Sequence, residues 1–182
     1  MNSNMIIVFI IFRSGTMRTD FSTLALLLPL STLPACADDD ALPTASEAKA
    51  AAAERTDGTP GDAERVREDG HDLWEVTVTM PNGASLEVLL FAESGDLFEI
   101  EDQAGPFDYA LDPLPGQLTY AEAAAVAHGV VDGVRVAWEV KYDDGPYFYE
   151  FYIEDADAQL WEVKLWAEDG EVFATEPKDA VD

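Results

Sequence analysis

The second half of the chain alternates apolar and polar positions with a period of two, the pattern of half-buried strands. Val134, Val136, Trp138, Val140 and Tyr142 alternate with Arg135, Ala137, Glu139 and Lys141. Asp143-Asp144-Gly145-Pro146 then reads as a turn. Beyond it Tyr149, Phe151 and Ile153 share one face, opposite Phe148, Glu150, Tyr152 and Glu154. After Asp155-Ala156-Asp157, Trp161, Val163 and Leu165 lie on one side and Leu160, Glu162, Lys164 and Trp166 on the other. Glu168-Asp169-Gly170 turns the chain into Glu171-Val172-Phe173. Ahead of these strands an alanine-rich stretch predicts a helix near 120–131. Thr119 and Glu122 fit a T-x-x-E capping box at its start, and Gly133 marks its expected stop.

A shift of 75 residues lays this pattern on the first half without a gap. Thr44-Ala45-Ser46-Glu47-Ala48 falls on Thr119-Tyr120-Ala121-Glu122-Ala123, and Ala92-Glu93-Ser94-Gly95 on Ala167-Glu168-Asp169-Gly170. Parity is kept as well, with Trp74, Val76 and Val78, then Leu86, Val88 and Leu90, on one face. A one-residue slip would invert a strand, so matched parity supports a duplication independently of identity. A second helix is expected near 45–56, stopping at Gly58. The counterpart of the Val134–Tyr142 strand, Thr59 to Arg67, holds Pro60, Gly61 and few apolar residues, and is expected to be short or absent. The expected fold class is α+β: two repeats, each one helix packed on a short antiparallel β-meander. They are placed at 43–101 and 116–176, with a linker at 102–115 and a tail at 177–182.

The first 35 residues read differently. Met17-Arg18 opens a basic start, Phe21 to Leu33 is almost wholly apolar, and Leu33-Pro34-Ala35-Cys36 follows at once. That is the build of a secretory signal, too short to span hydrocarbon as a helix. Met17 is the expected start of translation. The small residue before Cys36 resembles the lipobox of bacterial lipoproteins, in which the cysteine is acylated and becomes the new N-terminus. Cys36 is the only cysteine, so no internal disulfide is available to it. Residues 36–42, with Asp38-Asp39-Asp40, then form an acidic tether. The expected location is the cell envelope, exported and lipid-anchored, on the periplasmic or outer-membrane side.

A net charge of −27 excludes nucleic acid as a partner, because its phosphates would be repelled. It fits either a basic protein partner or a simply solvated acidic surface. Four tryptophans, nine phenylalanines and six tyrosines are more than a disordered acidic chain carries. The catalytic inventory is thin. His71, in the Asp69-Gly70 turn, is expected in solvent, and His128 sits late in its helix. No nucleophile elbow, zinc-protease motif or phosphate loop occurs. The Asp155-Ala156-Asp157 and Asp38–Asp40 runs lack the glycine and distal glutamate of a calcium loop. No enzyme activity, cofactor or metal is expected.

Leu118-Thr119-Tyr120-Ala121-Glu122-Ala123, Tyr149-Glu150-Phe151-Tyr152-Ile153, and Leu160-Trp161-Glu162-Val163 with Gly170-Glu171-Val172 together resemble the PepSY domain. The first copy repeats the ending in Leu86-Glu87-Val88 and Gly95-Asp96-Leu97. Tandem copies are similar to the wider group that includes the beta-lactamase inhibitor proteins. The resemblance implies an inhibitory or interaction role. No peptidase domain is attached, so such a role would act in trans.

If the helices cover the Trp/Val/Leu face, the other face carries Leu73, Phe91, Phe148, Tyr152 and Trp166 among acids. These are the candidate protein-binding residues, since aromatic patches rimmed by charge are typical of interfaces. The simpler account is that they cover one another where the copies pack. The expected function is a non-enzymatic envelope lipoprotein that binds or inhibits another exported protein, a peptidase being one such target. The alternative is a structural or assembly-modulating envelope protein without a tight partner.

Overall fold

A computed structural model describes residues 44–102 and 104–181. The expected leader, Cys36 and the acidic tether lie outside the described residues. The elements run α1 (Ala45–Thr56), β1 (Thr59–Glu68), β2 (His71–Thr79), β3 (Ser85–Phe91), β4 (Leu97–Asp102), α2 (Tyr120–Val130), β5 (Gly133–Tyr142), β6 (Tyr147–Asp155), β7 (Leu160–Trp166) and β8 (Val172–Lys178). All eight strands form one antiparallel sheet in sequence order, β4 pairing with β5 at the seam between repeats. The fold is α+β, and the duplication survives in its register. Glu75 pairs with Leu89, and 75 positions on Glu150 pairs with Lys164. Bulges follow Leu89 and Lys164 at the same place in each copy.

Each helix begins where its cap satisfies free amides. The Glu122 amide donates to Thr119 Oγ1 at 3.3 Å, while the Thr119 amide donates to Glu122 Oε2 at 2.9 Å. The Glu47 amide donates to Thr44 Oγ1 at 3.3 Å in α1. Both helices lie on one side of the sheet, α1 against β1–β3 and α2 against β6 and β7. Alanines make this approach close: Ala48, Ala52, Ala123 and Ala127 are fully buried against the sheet. The core is continuous across both copies, from Val76 and Val88 through Trp138 and Val140 to Phe151 and Leu165.

Three expectations need correction. The Thr59–Arg67 segment is neither short nor absent but a strand of 10 residues, paired with β2 along its length. Backbone pairing holds it, and a bulge between Pro60 and Ala63 takes up the irregular part. Gly58 and Gly133 do not stop the helices, which end at Asp57, in a left-handed conformation, and at Val131. The two glycines instead permit close approach. A Cβ on Gly58 would lie 2.3 Å from Val78 Cγ1, and one on Gly133 would lie 2.3 Å from the Glu154 carbonyl oxygen. His71 is not free in solvent, as its ring lies 5.1 Å from Phe91 and 5.7 Å from Phe98.

The segment between the copies is a strap rather than a loose spacer. Asp102, buried, accepts from the amides of Ala104 and Gly105 at 3.0 and 2.8 Å and from the Tyr109 hydroxyl at 3.0 Å. Trp138 Nε1 donates to that hydroxyl, and Tyr109 stacks on Tyr120 at 5.1 Å. Phe107, Leu111 and Leu114 complete its seal over the core. Arg135 lies over the Phe107 and Tyr120 rings at 5.0 and 4.9 Å. No described helix is long and apolar enough to cross a membrane.

Candidate functional site: the open face of the sheet

With both helices on one side, the other side is left to strands alone. Register sets an unusual row across it: Thr77, Glu87, Glu101, Glu139, Glu150 and Lys164 stand opposite one another on β2 to β7. Four carboxylates in neighbouring strands cost stability, because like charges directly opposite repel. Three of them, Glu87, Glu139 and Glu150, have carboxyls pushed above the ordinary range. Burial, then Glu75, Glu101 and Glu68, push the Glu87 carboxyl up. Burial lifts Glu139 to about 8, with Glu99 and Glu150 adding to the shift. Glu99 rises to about 7 through burial, against the pull of Lys141.

Carboxylate oxygens of Glu99, Glu101 and Glu139 lie within 4.8 Å of one another. The chain supplies its own cation there. Lys141 Nζ lies 3.0 Å from Glu99 Oε2, 3.3 Å from Glu68 Oε1 and 3.6 Å from Asp69 Oδ2. Burial would lower the Lys141 pKa, yet Glu99 and the other acids raise it. Three strands separate β1 from β5, about 19 Å across a flat sheet at the usual spacing. Contact between Lys141 and Glu68 therefore requires the first repeat to roll over the open face, which makes that end concave. Beneath the roll a second cluster forms from Leu73, Leu89 and Phe98, with Val66, Phe91 and Tyr142 against it.

In the second repeat the acids are clasped rather than rolled under. Lys164 Nζ lies 2.7 Å from Glu150 Oε2 and 3.5 Å from Glu162 Oε1, and Lys178 Nζ lies 2.8 Å from Glu162 Oε1. Burial pushes the Glu150 carboxyl up, and neighbouring Glu162 adds to this. Glu162 is held low despite burial by its bond with Glu150 and by Lys178 and Lys164.

The predicted site residues divide accordingly. Leu73 is wholly buried in the cluster under the roll and offers no surface. Tyr152 is buried too, its hydroxyl donating to Glu150 Oε1 at 2.5 Å. Both have the expected parity, but the rolled first repeat covers Leu73 and packing within the face covers Tyr152. Phe91 is half-buried between His71, Phe98 and Tyr142. Phe148 and Trp166 are half-buried, 6.4 Å apart edge to face, and Phe173 joins them. It stacks on Trp166 at 4.3 Å and 27°, and is 43% exposed. Sequence reasoning missed Phe173 as a surface residue. The extra residue of the bulge after Lys164 turns it onto the open face, and its equivalence to Phe98 was the available signal. Beside Trp166 runs a cleft of about 540 Å³ lined by Gly116, Gln117, Tyr147, Glu168 and Asp169. Asp155, considered above for calcium, closes the β6–β7 turn, accepting from the amides of Asp157 and Gln159 and from Trp161 Nε1.

This geometry defines a duplicated helix-on-sheet module with one uncovered, acidic and partly aromatic face. A family model described as "Peptidase propeptide and YPEB domain" (PepSY) matches residues 44–101 and 117–176. The chain belongs to the PepSY family. Among solved structures it is similar to a crystal structure of a candidate lipoprotein from Clostridium difficile 630, at 18% identity and a TM-score of 0.35. That likeness covers 67% of this chain and 84% of the other. No curated protein matches the sequence.

Proposed function

We propose that this is a non-enzymatic envelope lipoprotein, anchored through Cys36, that binds or inhibits another exported protein through the open face of its sheet. The observation that carries the reading is the Phe148–Trp166–Phe173 cluster. It is stacked, part-exposed and free of helix cover, at the rim of a face whose centre is polar. Large aromatic side chains in that setting dominate protein–protein affinity. Family membership supports the same reading, since the family takes in peptidase propeptides. The leader and Cys36 support the anchored, exported location.

The test is affinity capture from envelope extract by the parent chain and by Trp166→Ala/Phe173→Ala, with circular dichroism on both. The captured protein is then purified and its affinity for each chain measured. A partner that binds the parent and binds an equally folded variant at least tenfold more weakly carries the proposal. Equal affinity for both chains overturns it.

A further inference from the structure

Where the first repeat rolls over the open face, Lys141 meets acids from both repeats. Its Nζ holds Glu99 on β4 and reaches across to Glu68 and Asp69 at the β1–β2 turn. It also lies 5.5 Å from the centre of the Phe98 ring. Next along the same two strands Glu101 stands opposite Glu139, and Glu139 stands opposite Glu150 on β6. Glu87 stands opposite Glu101 from β3, and Glu64 on β1 stands opposite Glu75 on β2. The neighbouring cations are engaged elsewhere. Lys164 is tied to Glu150 and Glu162, Arg67 lies 3.4 Å from Asp72, and Arg65 lies over the Trp74 ring. His71 packs on Phe91 and Phe98. Lys141 thus has two duties: it faces Glu99 and its neighbours below, and it ties down the turn above. Under that tie lie Leu73, Leu89 and Phe98, none more than 2% exposed.

We propose that the β1–β2 end is a pH-controlled cover: ionisation of Glu99 and Glu139 draws the Lys141 charge away from the turn, lifts the turn, and uncovers Leu73, Leu89 and Phe98. The cause is Coulombic. With Glu99 and Glu139 protonated, the full charge of Lys141 faces Glu68 and Asp69, and the turn is held down. With both ionised, two more negative charges compete for the same ammonium and repel the acids of the turn, at short range and partly out of water. Lifting the turn lets water reach the buried carboxyls, so the open form releases protons that the closed form keeps. Opening is therefore favoured as pH rises. Burial raises Glu99 to about 7 and, with Glu99 and Glu150 adding to it, raises Glu139 to about 8, which puts the change near neutral pH. The cover is separate from the binding role proposed above and stands or falls without it.

The experiment follows the leucine and valine methyl signals of the whole chain by NMR at pH 5.5 and pH 8.5, with a neutral gadolinium chelate as the probe of solvent access. The relaxation that the chelate adds at the Leu73 and Leu89 methyls is expected to rise at least about threefold between the two conditions. Val76 and Val88, in the core under the helices, are expected to stay shielded at both. Glu99→Gln/Glu139→Gln is expected to stay covered at pH 8.5, and Lys141→Met to be uncovered already at pH 5.5. Equal shielding of Leu73 and Leu89 at the two pH values in the parent overturns the proposal. Opening of the Glu99→Gln/Glu139→Gln variant at pH 8.5 to the parent's extent overturns it as well, because other groups would then drive the change. Exposure of Val76 and Val88 in step with Leu73 means general loosening of the fold, and also overturns it.

Discussion

Lys164 sits between Glu150 and Glu162, 2.7 Å from one carboxylate and 3.5 Å from the other, and both acids are almost fully buried. Removing the ammonium leaves buried negative charge with half its compensation, a loss that typically costs roughly 3–5 kcal/mol. Lys164→Met is therefore expected to lower stability by about 3 kcal/mol in urea unfolding at pH 7.5. The deficit should shrink as pH is lowered, because Glu150, its carboxyl already pushed up, takes a proton before Glu162 does. A deficit independent of pH would show that Lys164 acts only by packing.

Glu99 and Glu139 set a second pH dependence. Their folded-state pKa values, about 7 and about 8, lie above the ordinary 4.5. Between those limits the folded chain holds protons that the unfolded chain has released. Their contribution is fully present below about 4.5 and is lost as pH rises through 7 and 8. The midpoint of thermal unfolding is expected to fall by roughly 3–6 °C from pH 5 to pH 8.5. Glu139→Gln should flatten that slope, and an unchanged slope would contradict the assignment.

The strap is held by Asp102, which accepts three hydrogen bonds while buried. Asp102→Ala strands those donors, at about 1–3 kcal/mol. Thermal unfolding should shift down by roughly 5 °C. Tyr109→Phe breaks part of the same network, so the double variant should lose less than the sum of the single losses. Additive losses would mean that the two groups act separately.

Gly58 and Gly133 are repeat equivalents with unequal tolerance. An added Cβ meets the Val78 side chain in the first case and the backbone carbonyl of Glu154 in the second. A side chain can shift, whereas a paired strand resists. Gly133→Ala is expected to cost about 3 kcal/mol and Gly58→Ala about 1 kcal/mol, read from denaturant midpoints. The reverse order would sink the argument.

How much of this was readable in the sequence depends on how local the cause is. The helices, their caps and the faces of β2, β3, β6 and β7 follow from spacing within a dozen residues, and both copies repeat them. β1 was underrated because its composition is poor and its stability comes from pairing with β2, which no side-chain pattern reports. The roll of the first repeat depends on Lys141 meeting Glu68, 73 residues away, and nothing near either residue signals it. The same roll decides the site. Parity placed Leu73, Phe91, Phe148, Tyr152 and Trp166 on one face correctly, but parity does not tell which of them something else covers. Phe173 escaped because a bulge shifts the faces by one residue.

The seam between the copies has a consequence for the ends of the sheet. β4 pairs with β5 through Glu99–Lys141 to Asp102–Trp138. By the 75-residue shift β8 is a second β4 and β1 a second β5, so β8 of one molecule faces β1 of another with the same invitation to pair. Left unaltered, that invitation would string molecules into an endless ribbon. At the position of Asp102, however, β8 carries Pro177, which has no amide hydrogen to give. The duplication that built the sheet thus also needed a terminator, and a single proline on its last strand supplies one.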